Sequence, residues 1–252
     1  MLITLLLAIT SAVPEGDAQA VTSLTDLEGH VLADGRYRQH VADRVLQIEA
    51  RYAYPDGRVA VERASVRLQP QLEQESWSWT ETGESGELVR SYEVDMRNGK
   101  AVATRMDEHK RWRDEVDIER GRTFAGIGFM TAIKSLREQL APGQSIELKA
   151  VAFTPKPRTA TVSIVHDGPD PVQAAGHSVR GDRFTIHPEI PAIARLFVHV
   201  PDQHLWLFAE GPPAFLRFEG PTVEPGDPIV RIDLVPGPSA KGARPRPGNR
   251  HR

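Results

Sequence analysis

Residues 46–54 read LQIEARYAY, and this stretch decides the predicted fold because apolar and polar side chains alternate along it. One face is apolar or aromatic throughout: Leu46, Ile48, Ala50, Tyr52 and Tyr54. Successive side chains of a β-strand point to opposite faces, so the alternation predicts a half-buried strand. Pro55, Asp56 and Gly57 follow at once and favour a turn.

The strand pattern recurs along most of the chain. Stretches with similar alternation or apolar content are 59–68, 72–80, 88–96, 101–106, 145–153, 159–166, 179–186 and 229–235. Asn98 and Gly99, between two of them, form the strongest short-range hairpin signal because both central residues of such a turn need positive φ. We therefore expect a meander of antiparallel strands without a repeat of fixed period.

The pattern changes between Phe124 and Leu140. Apolar side chains there recur at helical spacing: Phe129, Ile133, Leu136 and Leu140. This spacing places them on one face of an α-helix, which Pro142 and Gly143 end. The sequence therefore predicts a mainly β chain with one main amphipathic helix at about residues 124–140. The helix would pack on or in the concave face of a single antiparallel, strongly curved sheet or incomplete barrel.

The N-terminal segment resembles an export signal. Residues 1–10 read MLITLLLAIT, an apolar run shorter than the roughly 20 residues of a membrane-spanning helix. An A-x-A cleavage pattern ends at Ala20, and an earlier option ends at Ala12, so we predict a signal peptide over residues 1–20 and a periplasmic or secreted protein. No Lys or Arg precedes Arg36, however, and a buried first element of a cytosolic protein is the alternative.

The remaining chain divides into one body and a tail. Residues 21–235 contain no Ser/Gly-rich linker and form a single predicted β domain, whereas 236–252 are rich in Pro, Gly and basic residues. The tail contains too few apolar residues to fold, so we expect disorder. Its five positive charges would contact an anionic envelope surface or only solubilise the end. Without aromatic residues they predict no nucleic-acid partner.

Motifs for chemistry are absent from the sequence. The chain has no cysteine, which excludes disulfides, thiol catalysis and cysteine-ligated metals. The segment GHSVRG at 176–181 places its second glycine one position too late for a G-x-S-x-G nucleophile turn. Phosphate-binding loops, dinucleotide fingerprints and H-E-x-x-H are also missing. We therefore predict no catalytic residue, metal or cofactor, although the two carboxylates of a glycosidase could lie anywhere in the chain.

Aromatic and apolar residues are the remaining candidates for a binding site. We predict that a concave ligand site between sheet and helix is lined by Trp77, Trp79, Phe129, Ile133 and Trp206. A sheet with one buried face needs such residues in any case, so a purely structural role in the core is the alternative.

Several motifs in the second half carry a resemblance to known proteins. They are Leu136-x-x-x-Leu140-Ala141-Pro142-Gly143, Ile146-x-Leu148-x-Ala150, Trp206 and the FLRFEG segment at 215–220. With the strand-rich first half, this layout resembles an uncharacterised family of exported bacterial β-proteins that look like periplasmic lipoprotein and lipid carriers. The resemblance covers about residues 36–235. It implies a half-open barrel over a helix-plugged apolar hollow, and it implies no catalytic residue.

These observations lead to three hypotheses about function. The first is an exported non-enzymatic protein that binds an apolar or amphipathic ligand, such as a lipid, an acyl chain or a lipoprotein, between sheet and helix. The second is a structural or interaction protein of the cell envelope without a small-molecule ligand, which would have a filled interior. The third is an uncharacterised hydrolase. The ligand's identity and the oligomeric state do not follow from the sequence.

Overall fold

A computed structural model describes residues 15–154, 156–174, 177–189, 200–211 and 213–235. In chain order the first strands are β1 (Ala18–Thr25), β2 (Val31–Ala42), β3 (Val45–Ala53), β4 (Val59–Arg67), β5 (Glu73–Thr82), β6 (Leu88–Asp95), β7 (Lys100–Arg105), β8 (Lys110–Glu115) and β9 (Thr123–Phe124). After helix α1 (Gly128–Leu136) come β10 (Ser145–Phe153), β11 (Pro157–Pro169), β12 (Val172–Ala174), β13 (His177–Val179), β14 (Gly181–Pro188), β15 (Gln203–Phe208), β16 (Phe215–Pro221) and β17 (Ile229–Val235).

Fifteen of these strands form one large sheet. Its order is β8-β7-β6-β5-β4-β3-β2-β1-β17-β16-β15-β14-β11-β10-β9, and β12 pairs with β13 in a separate ribbon. Neighbours are antiparallel except β9, which runs parallel to β10. The first and second halves of the chain join where β1 pairs with both β2 and β17. The predicted fold class is confirmed: a single curved, mainly antiparallel sheet that does not close into a barrel.

Curvature brings distant strands of the sheet face to face. The ring of Phe153 in β10 stacks on Trp77 of β5 with centroids 5.5 Å apart, and it lies 5.1 Å from the ring of Tyr92 in β6. On the rim, the ammonium of Lys149 in β10 lies 2.6 Å from the carboxylate of Asp117, just after β8. The right-handed twist of neighbouring strands adds up over such a wide sheet, which therefore encloses an apolar interior.

Helix α1 is shorter than predicted. It covers nine residues, Gly128–Leu136, instead of about 124–140. Phe124 belongs to β9 and pairs with β10, a long-range contact that local spacing does not reveal. At the other end, the amide of Leu140 bonds to the carbonyl of Leu136 at 2.9 Å in a final turn, which keeps Leu140 on the apolar face without extending the helix. Every residue of α1 is buried, and no helix among the described residues has the length and apolar composition to cross a bilayer.

Residues before Val21 are part of the folded sheet. Ala18 to Ala20 pair with β2, and the amide of Val41 donates to the Asp17 carboxylate at 2.9 Å. The carboxylate of Glu15 forms an ion pair with the ammonium of Lys134 in α1, and both side chains are less than one-tenth exposed. Residues 1–14 and 236–252 lie outside the described residues, so the signal peptide and the disordered tail stay predictions.

Candidate functional site

A cavity of about 600 Å³ lies between the inner face of the sheet and α1. Its size falls within the range of about 300–1,000 Å³ that is usual for small-molecule sites. The wall is mostly aliphatic and aromatic and comes from both halves of the sheet: β1 to β5, β10, β11 and β14 to β17 all contribute. The curved sheet thus forms the hollow, and the apolar face of α1 covers part of it.

Four of the five predicted site residues line this cavity: Trp77, Trp79, Phe129 and Ile133. Both tryptophans extend inward from β5, two residues apart and therefore on one face. The ring of Trp79 stacks on Tyr52 of β3 with centroids 6.3 Å apart. Phe129 and Ile133 are one helical turn apart on α1, and Phe129 packs on Phe124 at 5.8 Å. The structure therefore places these four side chains of β5 and α1 in the wall of one cavity.

Trp206 does not line the cavity, which corrects the fifth assignment. Its indole packs with Val172 and Leu216 in a small separate cluster. The indole Nε1 donates to the carboxylate of Asp170 at 2.9 Å. The neighbouring Leu205 lines the cavity instead, because adjacent residues of β15 point to opposite faces.

Glu62 in β4 is a site residue that the sequence analysis missed. Its Oε1 accepts hydrogen bonds from the indole Nε1 of Trp77 and from the backbone amide of Ile127, each at 2.7 Å. The side chain lines the cavity, and burial raises the pKa of this carboxyl despite those two hydrogen bonds. One signal was available in the sequence, since Glu62 is the acidic residue between Ala60 and Ala64 on the inward face of β4.

Gly126 makes the approach of Glu62 to the start of α1 feasible. The residue has φ of +47°, a left-handed conformation that side chains disfavour. A Cβ there would lie 2.0 Å from Trp77 Nε1 and 2.2 Å from Glu62 Oε1. Only glycine can occupy this position while the carboxyl keeps both hydrogen bonds.

Tyrosines add hydroxyl groups to the apolar wall. The hydroxyl of Tyr37 donates to Gln39 Oε1 at 2.6 Å, and the Gln39 amide donates in turn to Glu15 at 3.1 Å. Burial raises the pKa values of Tyr37 and Tyr52, so both phenols stay neutral at ordinary pH. The cavity wall is therefore connected to the Glu15–Lys134 ion pair by hydrogen bonds.

The loop between β16 and β17, residues 222–228, forms a strap across the interior. Thr222, Val223 and Pro225 of the strap line the cavity. Glu224 accepts hydrogen bonds from the hydroxyl of Tyr92 at 2.6 Å and from the guanidinium of Arg105 at 3.1 Å. These contacts hold the strap against β6 and β7, which are far from β16 and β17 in the strand order.

Asp227 fixes the other end of the strap. Its carboxylate lies 2.9 Å from the guanidinium of Arg90 and 2.6 Å from the hydroxyl of Thr222. Burial tends to raise the pKa of Asp227, but the hydrogen bonds from Arg90 and Thr222 outweigh it and lower the pKa below its usual value. The strap therefore keeps this charged contact at neutral pH.

Metal binding has little support in this part of the chain. No group of three or more His, Asp or Glu side chains in the described residues could hold a metal ion.

No known family model matches the sequence, and no curated protein matches it either.

Comparison with solved structures finds similar bacterial proteins. A β-barrel-like protein of a domain of unknown function, DUF1849, from Brucella abortus superposes with a TM-score of 0.51 at 12% identity, covering 89% of this chain and 98% of that one. The hypothetical lipoprotein YmcC from Escherichia coli gives a TM-score of 0.35 at 11% identity, covering 90% of this chain and 87% of that one. A candidate exported protein with a YmcC-like fold from Bacteroides fragilis gives 0.29 at 10% identity, with coverage of 90% and 98%.

The likeness to the Brucella protein concerns the fold alone, given the low identity. At that level the resemblance inferred from the motifs is confirmed, because a barrel-like bacterial protein of unknown function has the same architecture over nearly its full length.

Proposed function

We propose that this chain is an exported, non-enzymatic protein that holds an apolar or amphipathic ligand, such as a lipid or an acyl chain, in the cavity between sheet and helix. The observation that carries the proposal is the cavity of about 600 Å³ under α1 and the strap. Transfer of apolar surface from water to such a wall contributes about 25 cal/mol per Å². Two observations support a location in the bacterial envelope. They are the apolar N-terminus and the neighbours named above as lipoproteins or exported proteins.

The two other hypotheses fit the geometry less well. An interaction protein without a ligand would have a filled interior, whereas this interior is hollow. A hydrolase would need polar groups that converge in a cleft. The described lining residues include no histidine, serine or lysine. They include two carboxylates, Glu62 and Glu189, but no hydrogen bond joins these two, and Glu62 is bound through Oε1 to Trp77 and Ile127.

Native mass spectrometry of the protein, purified from a bacterial envelope without detergent, tests the proposal. We expect one lipid-sized adduct per chain, identified after solvent extraction. Trp79→Leu should lower the adduct's occupancy because the indole forms part of the cavity wall. Trp206→Leu is the matched control and should keep full occupancy, since Trp206 packs in the separate cluster. The proposal would be contradicted if the spectrum contained the apo mass alone, or if both variants lost the adduct to the same extent.

A further inference from the structure

Glu62 forms no ion pair with any cation in the described part of the chain. Its Oε1 is used by Trp77 and Ile127, whereas Oε2 accepts no hydrogen bond from any residue in the described ranges. The Glu62 side chain is half-buried, and it lines the cavity. A buried carboxylate is costly unless a cation or several donors compensate it. The second oxygen is therefore available to a ligand.

Cations of α1, β6 and β7 are already paired with carboxylates of the protein. The ammonium of Lys134 on α1 pairs with Glu15, and the guanidinium of Arg105 pairs with Glu224 in the strap. Arg90 pairs with Asp227 and with Glu81. Arg158 is the cationic residue among the described lining residues, but it is exposed and forms no ion pair with Glu62. Among the described residues, therefore, no cation pairs with Glu62, and the positive charge of a bound molecule can fill that role.

Aromatic rings line the same part of the wall. Glu62 lies directly opposite Trp79 in the register of β4 and β5, and Tyr52 stacks on Trp79. Trp77 donates to the carboxyl itself, with Phe153 stacked on its ring. Faces of tryptophan and tyrosine attract organic cations, and quaternary ammonium groups are recognised in such aromatic surroundings. A site made of a carboxylate and aromatic rings therefore favours binding of an ammonium group over binding of a hydrated anion.

We propose that the ligand is a cationic amphiphile whose ammonium group binds Oε2 of Glu62 and whose alkyl chain lies along the apolar cavity wall. This inference rests on the proposed function and specifies its ligand class. A metal ion fits less well, because hard cations take six or more oxygen ligands and the wall offers one free carboxylate oxygen here. An anionic head group beside Glu62 would be repelled by its carboxylate, because no described cation pairs with Oε2.

Calorimetry with the full chain, stripped of bound lipid, tests the ligand class with three probes that share one alkyl chain. The probes are dodecyltrimethylammonium and dodecanoate, each below its micellar concentration, and dodecanol below its solubility limit. We expect the ammonium probe to bind about tenfold more tightly than the neutral alcohol, and dodecanoate to bind most weakly. Glu62→Gln keeps an acceptor for Trp77 and Ile127, so it should remove most of the preference for the ammonium, with only the attraction of the aromatic rings left, while dodecanol binding stays unchanged.

Glu189→Gln is the matched control, because Glu189 is the other acidic residue in the described lining. This variant should keep the full preference for the ammonium probe. Equal affinity for all three probes, or a preference that is undiminished in Glu62→Gln, would overturn the cation proposal while the apolar-ligand function stands. Failure of every probe to bind would instead contradict the proposed function itself.

Discussion

A chain that begins at Val21 is expected to unfold with a free energy about 3–5 kcal/mol lower than a chain that begins at Val13, the cost typical of breaking a buried ion pair. The shorter chain lacks Glu15 and leaves the ammonium of Lys134 buried without its carboxylate. It also loses the pairing of Ala18–Ala20 with β2. Urea unfolding of the two chains measures the difference.

Lys134→Met provides the control for this experiment. In the chain from Val21 the substitution removes the uncompensated charge while keeping a long apolar side chain, so it should restore a large part of the lost stability. Equal stability of the two starting chains would contradict the role assigned to Glu15. Of the two predicted cleavage positions, only the one after Ala12 retains this ion pair in an exported protein.

Gly126→Ala is expected to lower the free energy of unfolding by about 2–5 kcal/mol, the sum of left-handed strain and overpacking. The residue has φ of +47°, and its Cβ would meet the atoms that join Trp77 to Glu62. Gly143→Ala is the matched control, because Gly143 has φ of +82° and a Cβ added there would have no neighbouring atom within 4 Å. It should cost only about 1–2 kcal/mol.

Urea unfolding of both alanine variants separates strain from crowding. An excess cost at Gly126 over Gly143 would support the close packing of β5, β4 and the start of α1. Equal costs would contradict it, because the contacts with Trp77 and Glu62 would then add nothing to the backbone strain.

Local periodicity was sufficient to predict most of the sheet. The alternation at 46–54 predicted β3, Val45–Ala53. The predicted hairpin joins β6 to β7, but through the four-residue loop 96–99, in which Gly99 has positive φ and Asn98 does not. Both signals depend on near neighbours in the chain, so the sequence carries them directly. The inward faces of Trp77 and Trp79 followed from the same period of two.

Features that depend on long-range contacts were not predictable in this way. The run from Leu205 to Phe208 is apolar at every position, so periodicity could not tell that Leu205 faces the cavity and Trp206 the opposite side. Phe124 was predicted to be helical but lies in β9, because it pairs with β10. The ion pair of Glu15 with Lys134 joins residues more than a hundred positions apart, which no local pattern indicates.

Quenching of tryptophan fluorescence by a brominated acyl chain tests the central claim most directly, because bromine quenches only indoles close to it. A Trp112→Phe/Trp206→Phe chain retains the two cavity indoles and should be strongly quenched. A Trp77→Phe/Trp79→Phe chain retains the other two and should bind the same probe more weakly, with little quenching at the concentration where calorimetry shows it saturated. The same acyl chain without bromine is the control, and it should quench neither protein variant. Equal quenching of the two double variants would contradict a ligand site between the sheet and α1.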